Sequence, residues 1–301
     1  MNRIRLPSWL DTPRARLGAG LLAGFLLVAL VGPWCVGDPS ASAAMPLSEP
    51  SWAHPFGTTG QGQDVLAQTV AGTRASLLGG LLIGLLVVAV GALVGVTAAF
   101  AGGKVDGALS LLTNVLLVVP SLPLAIVAAA WLPPGPMTIG AVLVATGWAW
   151  NARVVRMQAL SLAAREYVLA ARVAGESGWR IVVVELLPNL GSLLVAQLIG
   201  ATTWAIGAQV GLEFLGLGEV GRVTWGANLY WAANDQALLT GAWWTFLPTG
   251  LSIALTAFAL ALLAGAVDEA LTPALRAGRD WRRLLPRGMA DAEEATPVVR
   301  S

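Results

Sequence analysis

Residues 107–151 read GALSLLTNVLLVVPSLPLAIVAAAWLPPGPMTIGAVLVATGWAWN, and no charged side chain interrupts this stretch. A helix needs about 20 mostly apolar residues to cross the hydrocarbon core of a bilayer, so the stretch has room for two crossings. Proline and glycine turn the chain, and the run Leu132-Pro-Pro-Gly-Pro136 divides the stretch into 108–131 and 138–152. We therefore predict two membrane-spanning helices, the second extending toward Val155 and carrying Arg153 at its edge by snorkelling.

Four more apolar stretches flank this pair, at 17–36, 76–101, 190–212 and 245–267. The chain of 301 residues is 56% hydrophobic and only 12% charged, and its mean hydropathy is +0.72. Soluble domains carry about 25% charged residues, so the composition argues against a soluble enzyme. The net charge of +1 is too small to indicate nucleic-acid binding. We predict an all-α integral membrane protein with six transmembrane helices.

Basic residues concentrate on the cytoplasmic side of membrane proteins, and their distribution here is strongly uneven. With six crossings, sixteen of the eighteen Lys and Arg residues fall on one side, and only Arg74 and Arg222 fall on the other. Both termini are therefore predicted to be cytoplasmic. The predicted order is a cytoplasmic tail 1–16, a first anchor 17–36, an external loop 37–75, a five-helix core 76–267 and a cytoplasmic tail 268–301.

The first apolar stretch has a competing interpretation, because Ala41-Ser42-Ala43 resembles the cleavage site of a secretory signal. A signal carries an apolar run of ~7–15 residues, and the run 17–36 is longer than that. We therefore interpret it as a retained membrane anchor.

The polar cytoplasmic segment 156–189 is predicted to form two helices. Residues 163–174 combine high helix propensity with no helix breaker, and Gly175 supplies a stop because glycine enters the left-handed region freely. The second helix is predicted over 179–187, ending at Pro188.

One face of the first of these helices is made mostly of alanine. Spacing of three and four residues places Tyr167, Ala170, Ala171 and Ala174 together. Such a face buries little area but permits close approach to a partner surface, so it indicates a docking helix. The alternative, an amphipathic helix lying on the membrane, usually carries larger apolar residues.

This segment resembles the EAA loop of ABC-importer permeases, whose pattern is Glu-Ala-Ala, three residues, Gly, nine residues and an apolar-x-Leu-Pro ending. The residues that match at the correct spacing are Ala170, Ala171, Gly175, Leu187 and Pro188. Leu169 stands where the family has Glu, and Glu185 stands where the peptide-importer branch usually has His.

Three further stretches resemble the C-type permeases of the dipeptide, oligopeptide and nickel branch, so that the resemblance covers about residues 50–276. Thr59, Gln63, Ala261 and Gly265 depart from the branch pattern. The matching stretches are His54-Pro-Phe-Gly-Thr58 with Gly62, Asp64-Val-Leu66 and Gly72-Thr-Arg-Ala-Ser-Leu77, then Phe214-Leu-Gly-Leu-Gly218 with Trp225-Gly226 and Leu229, and finally Glu269-Ala-Leu-Thr-Pro273 with Arg276. Four motifs in the correct order are far more specific than any one of them.

The resemblance implies the type I ABC importer permease fold in a bacterial cytoplasmic membrane. It implies a subunit that moves peptides or similar small solutes by alternating access, with nickel or another non-peptide solute as the alternative. The implied partners are a second permease subunit, two ABC ATPase domains, an external substrate-binding protein and membrane lipid. The residues that would couple the chain to an ATPase are Glu166, Tyr167, Ala170, Ala171, Gly175, Leu187 and Pro188.

Nucleotide chemistry is expected in a partner chain. A phosphate-binding Walker A loop ends in Gly-Lys-Ser/Thr, whereas Lys104, the single lysine, is followed by Val105. We therefore expect no catalytic residue and no cofactor in this chain, with ATP and magnesium in the partner ATPase. The translocation pathway is expected to be lined by Asn114, Ser121, Thr202 and Thr203. Trp225 and Gly226 are expected to form a corner under the external dock for the binding protein.

Two rival classes remain less favoured. An ion-coupled secondary transporter usually has ionisable residues within the membrane, and Glu213, at the external end of the fifth span, is interpreted as a carboxylate facing water. An intramembrane enzyme or metal site lacks ligands, because His54 and Cys35 are the single histidine and cysteine. His54 is interpreted as a solvated loop residue and Cys35 as a small apolar side chain in a helix. The tryptophans at 225, 231, 243 and 244 favour a membrane-interface belt.

Overall fold

The computed structural model describes residues 12–271. Within this range the regular structure is helical, and extended pairing is limited to two isolated β-bridges in the loop after the first helix, Ser42–Gln63 and Thr58–Asp64. Residues 1–11 and 272–301 lie outside the described residues. They include most of both predicted cytoplasmic tails, 1–16 and 268–301, and also Pro273 and Arg276 of the last family match.

Long helices dominate the described range. They are α1 (Pro13–Cys35), α2 (Val65–Ala101), α3 (Gly103–Val118), α4 (Ser121–Ala130), α5 (Pro136–Ala163), α8 (Leu187–Phe214) and α11 (Leu247–Leu271). Between α5 and α8 lie α6 (Glu166–Val173), α7 (Gly178–Arg180) and a π-helical segment, Ile181–Leu186. After α8 come α9 (Trp225–Asn234), α10 (Ala237–Thr240) and a 3₁₀ turn, Trp243–Thr245.

Several of these helices are long and apolar enough to cross a membrane. Among the described residues four helices qualify, namely Pro13–Cys35, Val65–Ala101, Gly178–Phe214 and Leu247–Glu269. The pair α3 and α4 is a fifth candidate if it is one broken span, since the two helices meet at 85°. Pro120 lies at that bend, and the residue before a proline is pushed out of the helical region: Val119 is extended, with φ −80° and ψ 126°. Helix α5 contains the predicted span 138–152 but is not among the candidates.

Helix α1 is packed into the fold. Thr12 caps it, its Oγ1 accepting a hydrogen bond from the Ala15 N–H at 3.2 Å. At Gly18 the helix lies so close to α11 that a Cβ atom would be 2.8 Å from the Ala259 carbonyl oxygen. Retention of α1 as a membrane anchor stays a prediction.

Helix α2 is the central element, and glycines bring its neighbours close. It begins at Val65, ahead of the predicted start at 76, because Asp64 caps it by accepting from the Ala67 N–H at 3.0 Å. A Cβ at Gly84 would lie 2.8 Å from the Cα of Thr202 in α8, and one at Gly91 would lie 2.6 Å from the Cβ of Asn151 in α5. The main core lies around this contact and includes Ile83, Val87, Ile139, Leu143 and Leu212.

The predicted second cytoplasmic helix does not end at Pro188, so that part of the prediction is wrong. The chain remains helical from Gly178 through Phe214. Pro188 therefore lies inside a continuous helical stretch, where a proline removes one backbone hydrogen bond. The preceding π segment accommodates it, with the Leu187 N–H bonded to the Val182 carbonyl oxygen.

Candidate functional site

Helix α6 packs against the C-terminal end of α2 through one buried side. Val168 is 0% exposed and packs in a cluster with Ile181 and Leu186, against Phe100 at the end of α2. The Arg172 guanidinium lies over the Phe100 ring, 5.6 Å from its centroid. The helix is therefore held by packing and by a cation–π contact.

Gly175 ends α6 as the sequence predicted. Its φ is +79°, the left-handed conformation that glycine adopts without strain. The Gly175 N–H bonds the Arg172 carbonyl oxygen and the Glu176 N–H bonds the Ala171 carbonyl oxygen, both at 3.1 Å. These two bonds are the Schellman arrangement, which satisfies the last carbonyls of a helix.

The opposite side of α6 is uncovered among the described residues. Tyr167 and Leu169 are 39% and 47% exposed, and Val173 is 90% exposed. Of the predicted alanine face, Ala170 and Ala174 are exposed, whereas Ala171 turns toward the Val168 cluster. Glu166 and Tyr167 border an open cleft of about 730 Å³ that is also lined by Asn189.

The remaining two residues of the predicted coupling set lie at the start of α8. Leu187 packs against the buried cluster of Val96, Val155 and Leu190, so its contacts are within the chain. Pro188 is exposed. The structure thus brings Glu166, Tyr167, Ala170, Gly175 and Pro188 to the surface, and turns Ala171 and Leu187 inward.

A space with a neutral polar lining lies between α2, α5, α8 and the α3–α4 bend. It has a volume of about 590 Å³. Hydroxyl and amide side chains reach it from Ser121, Thr146, Asn151 and Gln197, and the indoles of Trp150 and Trp204 complete the wall. The Gln197 side-chain N–H₂ donates to the Asn151 backbone carbonyl oxygen at 3.5 Å, and its Oε1 has no hydrogen-bond partner among the described residues.

The four predicted pathway residues lie in different places. Ser121 lines this cavity, whereas Asn114 lines a separate one of about 230 Å³ with Arg153 and Arg156. Thr202 is 1% exposed at the α2–α8 contact. Thr203 donates to the Ile199 carbonyl oxygen at 2.9 Å.

The sequence reasoning missed Asn151 and Gln197 as cavity residues. The sequence offered one chemical signal, because a carboxamide inside an apolar span is costly to bury unless it is hydrogen-bonded. Their meeting could not be predicted, since 46 positions separate them in the chain.

An ion pair joins α3 to α5 beside the smaller cavity. Arg156 donates from Nε and from Nη2 to the two carboxylate oxygens of Asp106, at 2.5 and 2.6 Å. Ser110 also donates to Asp106 Oδ1, at 3.1 Å. Bidentate pairing of this kind fixes both distance and orientation, so it ties the start of α3 to α5.

At the other end of α8, Glu213 is buried, and the interpretation of a carboxylate facing water is wrong. Glu213 is 5% exposed. It accepts from Thr224 Oγ1 at 2.7 Å and from Gln209 Nε2 at 3.0 Å, and the Gly226 N–H also donates to it. Because buried carboxylates require such partners, Glu213 joins the end of α8 to the start of α9.

The predicted corner at Trp225 and Gly226 lies inside the protein. Trp225 is 0% exposed, and its backbone N–H donates to Ser76 Oγ at 2.9 Å. A Cβ at Gly226 would lie 2.7 Å from the Val210 carbonyl oxygen. Trp244 is buried as well, so the tryptophan belt is wrong for these two residues, whereas Trp243 is exposed.

The loop before α2 is folded by its own hydrogen bonds. His54 is not simply solvated, because its Nδ1 lies 2.7 Å from Asp64 Oδ2, at the cap of α2. Trp244 Nε1 donates to the Thr58 carbonyl oxygen at 3.2 Å. Asp235, which directly follows α9, has a raised pKa because burial disfavours its charged form. The hydrogen bond that the Gly60 N–H donates to this carboxylate opposes the rise without cancelling it. Cys35 ends α1 and is exposed.

Long apolar helices that surround a cavity with a neutral polar lining fit a transport protein. The chain belongs to the family of binding-protein-dependent transport system inner membrane components, whose model matches residues 88–277. It is 34% identical over 269 residues to the dipeptide transport system permease protein DppC of Bacillus subtilis (strain 168), over 87% of this chain and 82% of the relative.

Two oligopeptide transport system permease proteins named OppC are also similar. The one from Bacillus subtilis (strain 168) is 35% identical over 231 residues, covering 75% of this chain and 74% of the relative. The one from Mycobacterium tuberculosis (strain ATCC 25618 / H37Rv) is 33% identical over 236 residues, covering 77% and 80%. The resemblance to C-type ABC permeases is therefore confirmed, and the chain is a multi-pass membrane permease of an ABC transport system. Its relatives are transport permeases, a non-catalytic kind of subunit.

Proposed function

We propose that this chain is one permease subunit of an ATP-driven importer that carries peptides across a bacterial cytoplasmic membrane by alternating access. It would have six transmembrane helices in the type I arrangement, with α3 and α4 together as one broken span, α5 as another, and both termini in the cytoplasm. A second permease subunit, two ABC ATPase domains and an external binding protein would complete the importer. ATP and magnesium would bind to the ATPases.

The uncovered face of α6 carries this proposal. A short helix that is fixed on one side by a fully buried valine and ended by a Schellman turn has a defined orientation. Its other side presents apolar surface to solvent, as a helix does when its partner belongs to another chain. The proposed partner is an ABC ATPase, because an importer subunit that binds no nucleotide has to obtain its energy from a subunit that hydrolyses ATP.

The substrate class is proposed from the cavity and from the relatives. Amide and hydroxyl groups pair with the N–H and C=O groups of a peptide backbone, and indole surfaces pack against its apolar parts. The polar lining of the cavity offers these groups at Asn151, Gln197, Thr146 and Ser121. The relatives that are named as dipeptide and oligopeptide permeases point to the same class. Nickel or another non-peptide solute remains the alternative substrate.

The substrate-binding protein would dock on the external surface that lies above the buried corner at Trp225 and Gly226. In this proposal Trp225 and Gly226 support that surface from below and do not contact the binding protein themselves.

A transport assay with the reconstituted importer would test the proposed function. The chain would be co-expressed with the second permease subunit and the ATPase subunits of the same transport system. The complex would then be reconstituted in proteoliposomes, and the substrate-binding protein would be added on the outside. We expect ATP-dependent uptake of labelled di- and oligopeptides that is not inhibited by Ni²⁺. Uptake of ⁶³Ni without peptide uptake would establish the alternative, and solute accumulation driven by an ion gradient without ATP would overturn the ABC mechanism.

A further inference from the structure

Both parts of the cytoplasmic segment contact a single aromatic ring at the end of α2. The Phe100 ring lies under the Arg172 guanidinium of α6 at 5.6 Å. On the side of α7, a Cβ at Gly178 would lie 2.7 Å from Phe100 Cε1, so the ring edge rests against the Gly178 backbone. The ring also packs on the buried cluster of Val168, Ile181 and Leu186.

Helix α2 continues from this ring to the cavity. At Gly95 a Cβ would be 2.6 Å from the Ala152 carbonyl oxygen, and at Gly91 it would be 2.6 Å from the Cβ of Asn151. Backbones this close leave little room for sliding, because packed interiors have few voids. Val87, further along α2, lines the cavity together with Asn151. A displacement of the Phe100 end would therefore move α2 and α5 together, and with them one wall of the cavity.

We propose that Phe100 is the positioning residue through which movement of α6 is transmitted to α2, and from α2 and α5 to the cavity. This inference rests on the proposed function, in which an ATPase moves α6. The competing route is the covalent one, from α7 through the π segment into α8. That route passes through Pro188, which has no N–H to donate, in a stretch where Val183 and Val184 are exposed. The missing hydrogen bond at Pro188 makes this route less rigid along the backbone, although Ile181 and Leu186 within it are buried.

The test compares variants in the complete importer, in proteoliposomes with the binding protein. Phe100→Ala removes the ring, and Arg172→Gln removes only the charge above it. Phe258→Ala is the matched control, since Phe258 is a phenylalanine of α11 that is 50% exposed. The readouts are ATPase co-purification, the rate of ATP hydrolysis, and solute taken up per ATP hydrolysed.

For Phe100→Ala we expect intact co-purification and retained hydrolysis, with uptake per ATP reduced about fivefold or more, the lower end of typical coupling between sites. Arg172→Gln should give a smaller reduction, and Phe258→Ala should match the wild type. If the Phe100→Ala chain does not insert into the membrane, Phe100→Leu replaces it, because leucine keeps the apolar bulk but has no ring face. For Phe100→Leu we expect an intermediate reduction in uptake per ATP.

Wild-type uptake per ATP in both Phe100 variants would overturn the inference in favour of the covalent route. Loss of the ATPase from an inserted Phe100→Ala chain would overturn it too, because the ring would then serve docking rather than transmission. Failure of the proposed function is recognised separately, since the unaltered importer would then show no ATP-dependent uptake.

Discussion

The helical stretch from Gly178 to Phe214 has two ends that are built in opposite ways. At the end near Glu213, which is external in the proposed topology, Glu213, Thr224 and Trp225 are all buried, and the polar groups of Glu213 and Thr224 are hydrogen-bonded to one another. At the end near α6, which is cytoplasmic in the proposed topology, Val168 alone of α6 is buried, while Val173 and Trp179 are 90% and 76% exposed. The external end is thus completed by contacts within the chain. The cytoplasmic end has exposed apolar side chains, which we propose to be covered by the ATPase.

The comparison requires that these ends lie on opposite sides of the membrane. Single cysteines would be placed in a Cys35→Ser background at Ala233, near the end of α9, and at Ser161, near the end of α5; both positions are exposed. An impermeant thiol reagent should label position 233 in intact cells and position 161 only after permeabilisation, an all-or-none difference. Labelling of position 161 in intact cells would reverse the assignment of sides.

Gly226→Val should destroy the external end. The new side chain would overlap the Val210 carbonyl oxygen, because even a Cβ lies 2.7 Å from it. Overpacking of this kind costs at least ~1–3 kcal/mol, so we expect little folded chain in the membrane by fluorescence-detected size exclusion. Gly221→Val is the control, since a Cβ there meets no described atom within 4 Å. Normal yield of the Gly226 variant would show that the corner is looser than its contacts indicate.

Gly175→Val should impair the cytoplasmic end without unfolding the chain. A Cβ there meets no described atom within 4 Å, so the effect comes from the positive φ alone, at roughly 1–2 kcal/mol. We expect normal insertion, with weakened ATPase co-purification or ATP hydrolysis uncoupled from uptake. Gly175→Asn, which tolerates the left-handed region, should behave nearly as wild type. A Gly175→Val importer with full uptake would mean that the ATPase contact lies elsewhere, at the junction of α2 and α3 around 102–106 or in the C-terminal tail.

Thr224→Val should weaken the external end moderately. The hydroxyl donates to Glu213 at 2.7 Å and accepts from the Ala227 N–H at 3.0 Å, capping α9. Loss of a cap and of a buried partner costs about 1–3 kcal/mol. A lower thermal midpoint in detergent, with ATPase co-purification unchanged, is the expected result. An unchanged midpoint would show that Gln209 and Gly226 suffice to hold the carboxylate.

Leu169→Glu should have almost no effect. Leu169 is 47% exposed on α6, and Glu is the residue that the EAA pattern has at this place. Uptake rates should equal those of the wild type within error. A large loss of uptake would mean that the partner surface is adapted to leucine, which would sharpen the picture of an apolar contact.

Much of the cytoplasmic end could be predicted from local patterns. The left-handed glycine at 175 was predicted and is confirmed, because helix termination depends on neighbouring residues only. The end of the second helix was predicted wrongly, because the π-helical segment before Pro188 lets the chain stay helical past the proline. The exposure of Tyr167 and Ala170 followed from spacing, whereas the inward turn of Ala171 needed the position of the Val168 cluster.

The external end was predicted poorly for the opposite reason. Glu213 is a polar residue near the end of an apolar helix, and Thr224 stands before α9 in the connecting segment; such positions usually face water. Only the close return of the chain at Gly226 encloses them, and that return depends on packing against Ser76, which is 149 positions away from Trp225.

The sequence by itself determined that this is a membrane protein of apolar helices, and it predicted the glycine at 175 that ends a short helix, because transfer free energy and helix signals act over a few turns of chain. The tertiary structure alone decided which side chains share a space. Asn151 meets Gln197, Asp106 meets Arg156, and Arg172 meets Phe100, although each pair is distant in sequence. No local pattern encodes such meetings, since they follow from where the glycines of α2 allow its neighbours to pack.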